Sequence, residues 1–140
     1  MSVLAGQLRL AVVRTHRRLR QEAGGGLSPT MAAALATIER HGPLTPSELA
    51  ARERIQRPTA TRLIGRLEAD GLVVRTPDPA DGRSSLMTAS AAGRTLLREN
   101  RTRKDAYLAR RLRRLSSEDR ATLERAAVLL EQLLEQEDPA

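Results

Sequence analysis

Cysteine is absent from the 140 residues, which removes disulfides, thiolate metal sites and thiol redox sensing. Aromatic side chains are almost as scarce: Tyr107 is the single tyrosine, and there is neither phenylalanine nor tryptophan. Binders of single-stranded RNA or DNA rely on stacking platforms, which this composition does not supply. Lysine is nearly missing too, Lys104 being the only one, so the basic set is almost wholly arginine. No run of about 18 apolar residues occurs, and the first helical segment carries arginines through its second half, so neither a membrane span nor a secretory signal is expected. His16 and His41 lie far apart with no acidic cluster at ligand spacing, so no metal site is expected.

With 40% apolar content, a chain of this length buries one modest core, and a single compact, cytoplasmic unit is expected. The net charge is +7, from 24 basic against 17 acidic residues. Guanidinium is always charged and grips phosphate or guanine at two points. A coding bias toward GC-rich codons produces the same arginine and alanine excess, so composition alone carries modest weight.

Periodicity and punctuation give the order of elements. Leu4, Leu8, Ala11, Val12 and Leu19 recur at helical spacing, which predicts a helix from Val3 to Arg20, ended by Gly24, Gly25 and Gly26. Ser28-Pro29 starts a second helix with core stripe Met31, Leu35 and Ile38, stopped by His41-Gly42-Pro43. Thr45-Pro46-Ser47-Glu48 reads as a capping box opening a short helix through Arg54, with Ile55 as the apolar anchor of the following turn. The next helix is predicted from Pro58 to Asp70: Ala60, Leu63, Ile64 and Leu67 fall in one arc, Thr59, Arg62 and Arg66 in another. Residues 72–76 and 85–88 suit antiparallel strands around a polar turn with Asp81, Gly82 and Arg83. Ser90 then caps a long helix, and Ser116 and Asp119 occupy capping-box positions before a final helix with the seam Leu123, Ala127, Leu130 and Leu134.

Helix, helix, strand, turn and strand in that order is the plan of a winged helix-turn-helix, which sets one helix in the DNA major groove and a hairpin beside it. The fold class expected is mainly α with a small β-hairpin wing. Residues 28–89 form the winged DNA-binding domain, while residues 1–27 and 90–140 form a helical dimerisation region. A similar apolar stripe at both chain ends implies a second copy related by a twofold axis.

The chain resembles the MarR family of bacterial transcriptional regulators. The resemblance rests on Leu44-Thr45-Pro46-Ser47-Glu48-Leu49-Ala50, Pro58-Thr59-Ala60-Thr61-Arg62, Leu67-Glu68-Ala69-Asp70-Gly71-Leu72-Val73, Asp81-Gly82-Arg83 and Ser90-Ala91-Ala92-Gly93. It implies a homodimer held by the terminal helices, with base or phosphate contact at Gln56, Arg57, Thr59, Thr61, Arg62 and Arg66. It also implies minor-groove insertion by Arg83, with Asp81 accepting a hydrogen bond from that arginine and holding it ready. Arg75 on the preceding strand joins this DNA-contact set. Many relatives bind small aromatic acids or lipophilic compounds in a crevice between the dimer and DNA-binding regions, so such an effector is a further partner the resemblance implies.

For isolated arginines a solvated surface is the simplest explanation. Their place on the second helix of a capped pair favours double-stranded DNA. The function expected is therefore a dimeric, sequence-selective regulator, a repressor on a pseudo-palindromic operator. The alternative is an architectural protein that coats duplex DNA with little base preference. An enzyme is not expected, since no nucleophile and base pair, phosphate loop or carboxylate dyad stands out, and no cofactor is implied.

Overall fold

The computed structural model describes residues 1–136. The last four residues of the expected 90–140 segment lie outside the described residues. Six helices and one hairpin follow in the order α1 (Ser2–Ala23), α2 (Pro29–His41), α3 (Pro46–Glu53), α4 (Arg57–Ala69), β1 (Val73–Pro77), β2 (Ser85–Ala89), α5 (Ala91–Leu112) and α6 (Ser117–Glu135).

The starts and stops have local causes. Ser28 Oγ accepts the Met31 N–H at 3.2 Å, with proline at the first position of α2. Thr45 Oγ1 accepts from Glu48 N at 3.2 Å and Glu48 Oε2 accepts from Thr45 N at 3.4 Å, completing the reciprocal box. Ser116 Oγ accepts from Asp119 N at 3.1 Å. The second half of that expected box, from Asp119 back to Ser116, is not among the bonds of the described residues.

Leu35, Ile38, Leu49, Ile64, Leu67 and Met87 are fully buried and draw α2, α3, α4 and the hairpin into one core. Removing any of these side chains to alanine costs about 2–5 kcal/mol in cores of this kind. The hairpin is antiparallel with Val73 opposite Ala89 and Pro77 opposite Ser85. Leu44 adds a bridge that the sequence did not announce: its N–H donates to Met87 O at 3.1 Å and its carbonyl accepts from Met87 N at 2.7 Å.

The single compact unit expected from length is replaced by two, Met1–Lys104 and Asp105–Ala140. The cause is the distribution of apolar burial: beyond Lys104 no described residue is buried. The helices also differ from expectation at their ends. The first helix runs to Ala23, the helix expected from Pro58 to Asp70 spans Arg57 to Ala69, and the long helix stops at Leu112.

Ser90 joins the turn after α4 to the start of α5. Its hydroxyl donates to Gly71 O at 2.6 Å and accepts from Gly93 N at 3.0 Å, while its own N–H donates to Leu72 O at 2.9 Å. Ser90→Ala removes the cap on the Gly93 N–H and the bond to the exposed Gly71 carbonyl, an expected loss of about 1 kcal/mol. A urea midpoint unchanged from wild type would contradict this.

Candidate nucleic-acid interface

The helix pair that carries the candidate interface begins with the capping box of α3 and turns at Arg54, which adopts a left-handed conformation with φ 53° and ψ 46°. Its N–H reaches Ala51 O at 3.3 Å, and the N–H of Ile55 reaches Ala50 O at 3.0 Å, closing the turn. Ile55 packs against the core, as its role as anchor requires.

On α4, Ala60, Ile64 and Leu67 are buried, and Leu63 packs partly against the same core. This burial turns the other arc outward. Arg57, Thr61, Arg62 and Arg66 are exposed and Thr59 is half-buried. Thr59 Oγ1 accepts from Arg62 Nη2 at 3.4 Å, so the guanidinium is steadied only weakly from within its own helix. Thr61 Oγ1 donates back to Arg57 O at 3.0 Å. Among the described residues the guanidinium groups of Arg57 and Arg66 have no protein partner.

The residue before the helix is Gln56, not Arg57, and it makes no side-chain capping bond. Arg57 takes the first helical position and Pro58 follows it inside the first turn, where its missing N–H costs nothing. The first backbone N–H groups of α4 therefore lack a side-chain cap, and they lie beside Arg57. This is the arrangement that favours an anion, since the helix dipole and the free donors act together.

The wing tip is built from two aspartates. Asp78 Oδ1 accepts from Ala80 N at 2.9 Å, and Asp81 Oδ1 accepts from Arg83 N at 3.0 Å. The resemblance implied that Asp81 would hold the wing arginine; the bond it makes goes to the backbone N–H of Arg83, so it shapes the turn. The guanidinium of Arg83 has no protein partner among the described residues, and its side chain is exposed.

Arg75 stands apart from the other candidates. Its Nε pairs with Glu68 Oε2 at 2.8 Å, and its Nη1 donates to Ser85 Oγ at 3.5 Å. The guanidinium thus ties the base of the wing to the end of α4. Glu68 and Ser85 were not among the site residues expected from sequence. Their only signal is the charge of Glu68, and an exposed acid seven residues before an arginine points to nothing by itself. With both partners about two-fifths exposed, the pair contributes at most about 1 kcal/mol.

Residues 25–84 match the MarR family model. An HTH-type transcriptional regulator of Mycobacterium leprae is 38% identical over 134 residues, which cover 95% of this chain and 94% of that protein. Among solved structures, a transcriptional regulator protein of Pseudomonas aeruginosa superposes with a TM-score of 0.88 at 36% identity, covering 96% of this chain and 95% of that one. A MarR family protein of Bacillus stearothermophilus gives 0.82 at 25% identity, covering 96% and 95% of the two chains. Together with the capped helix pair, its arginine face and the wing, these similarities place the chain in the MarR family of DNA-binding transcriptional regulators.

Proposed function

We propose that this regulator is a repressor that acts as a homodimer in the cytoplasm on a pseudo-palindromic operator. The observation that carries the reading is the outward arc of α4, where Arg57, Arg62 and Arg66 are exposed while Ala60, Ile64 and Leu67 hold the opposite side in the core. Arg62 reads a base edge in the major groove, and Arg57 and Arg66, with Gln56, Thr59 and Thr61 around them, position the helix on phosphates. Arg83 at the wing tip enters the flanking minor groove, where arginine suits a narrow, strongly negative channel. Arg75, engaged by Glu68, serves the wing's placement more than the groove.

The assignment of residues 28–89 to DNA binding and of residues 1–27 and 90–140 to dimerisation rests on apolar exposure. On α1, Leu4, Leu8 and Val12 are exposed, and on α6, Leu123, Leu133 and Leu134 are exposed. Large apolar side chains left open along whole helices fit a second copy of the chain. A twofold pair presents two recognition helices about 34 Å apart, one helical turn of DNA.

A cavity of about 350 Å³ within the Met1–Lys104 unit supports relief by a small-molecule effector. Leu27, Ala36 and Leu97 supply an apolar wall, and Arg20 and Arg101 supply positive charge. The size and the mix of surfaces suit a small aromatic acid. Titration with small aromatic carboxylates is expected to raise the Tm and to release bound duplex together. No change in either quantity removes the effector from the proposal.

The decisive experiment is selection of bound fragments from random duplex DNA, with sedimentation of the protein alone. Recovered sites with two half-sites one turn apart and a dimeric protein support the reading. Recovery without sequence preference replaces it with the architectural binder, because the ratio of specific to nonspecific affinity separates the two.

A further inference from the structure

Gly65 occupies the middle of α4, on its exposed side. Glycine in a helix interior is unfavourable against alanine, because the free chain loses more backbone freedom. Within a protein, two structural needs call for it there: a positive φ, or a neighbour too close for a methyl. Neither holds inside this protein. Gly65 is not among the residues with positive φ. An added Cβ would meet no atom within 4 Å beyond its chain neighbours and its own helix backbone.

The position is three residues after Arg62 and one before Arg66, turned away from Ala60, Ile64 and Leu67. It therefore faces the same side as the guanidinium groups that engage duplex DNA in the proposed function, on which this inference rests. We infer that Gly65 is the point of closest approach between the recognition helix and the duplex, and that its missing side chain sets how deeply Arg62 reaches into the groove. A close backbone approach to a ligand is one of the uses for which glycine is retained. Any side chain at 65 holds the helix off the groove floor and withdraws Arg62 from the base edges.

The test uses Gly65→Ala and Gly65→Leu in the full chain, with a duplex selected from random sequence by the wild-type protein and a scrambled duplex of equal length. Both variants are expected to fold, and Gly65→Ala to raise the Tm by about 3–5 °C through helix propensity. Affinity for the selected duplex is expected to fall about tenfold for alanine and further for leucine. Affinity for the scrambled duplex at low salt, which depends on charge, stays near wild type. Gly65→Leu binding the selected duplex as tightly as wild type while Arg62→Ala loses affinity overturns this inference alone. Wild-type affinity in Gly65→Leu and in Arg62→Ala alike overturns the interface reading beneath it.

Discussion

Gly93→Ala is expected to destabilise the protein by about 3 kcal/mol, although alanine is the better helix former. Gly93 is buried in the first turn of α5. An added Cβ would stand 2.2 Å from Leu72 O, 3.1 Å from Leu72 C and 3.3 Å from Leu35 Cδ1. The nearest obstacle is backbone, and that carbonyl already accepts the Ser90 N–H at 2.9 Å, so it cannot swing aside without breaking the joint that starts α5. The helix has to shift off the core, exposing Leu97 and loosening Leu35. Steric cost of this size exceeds the propensity gain of about 1 kcal/mol. The urea midpoint should drop accordingly, and a variant as stable as wild type would show that α5 has room to move. Alanine at Gly65, on an open face of α4, has the opposite expected sign.

Arg62→Ala should leave stability nearly unchanged and weaken operator binding by about 1–3 kcal/mol, roughly 5–150-fold. The side chain is exposed, and among the described residues its one hydrogen bond is the long one to Thr59, so folding loses little when it goes. If Arg62 reads a base edge, the loss is confined to cognate sequence and preference relaxes at one position. Arg66→Ala, if it removes the proposed phosphate contact, should weaken all sequences alike and lower the salt slope by about one. Arg83→Ala should act most on sites with A·T-rich flanks, because the groove there is narrow. Titration of each variant against selected and scrambled duplexes at two salt concentrations separates these outcomes. Equal affinities for wild type, Arg62→Ala and Arg83→Ala would remove this face as the contact surface.

The features legible in sequence share one property: their partners lie within a turn or two along the chain. Thr45 and Glu48 satisfy each other three residues apart, Ser28 caps Met31, and the arc of Ala60, Ile64 and Leu67 follows from 3.6 residues per turn. The one-residue shift at the start of α4 arose where this local signal is weakest, since neither Gln56 nor Arg57 is a favoured cap. Arg75 is the instructive case among site residues. Its charge and strand position suggested a groove contact, but its geometry is governed by Glu68, which arrives only when β1 runs back past the end of α4.

The sequence by itself therefore determined the elements, their order, the buried arc of α4 and the family, because periodicity, caps and turn residues act through near neighbours. Only the tertiary structure decided that Leu44 pairs with Met87, that Leu72 leaves no room for a side chain at 93, and that Gly65 has no such excuse. It also decided that a cavity opens among Leu27, Ala36 and Leu97. Each of these depends on the distance between residues far apart in the chain, and that distance exists only after the aliphatic core has brought the helices together.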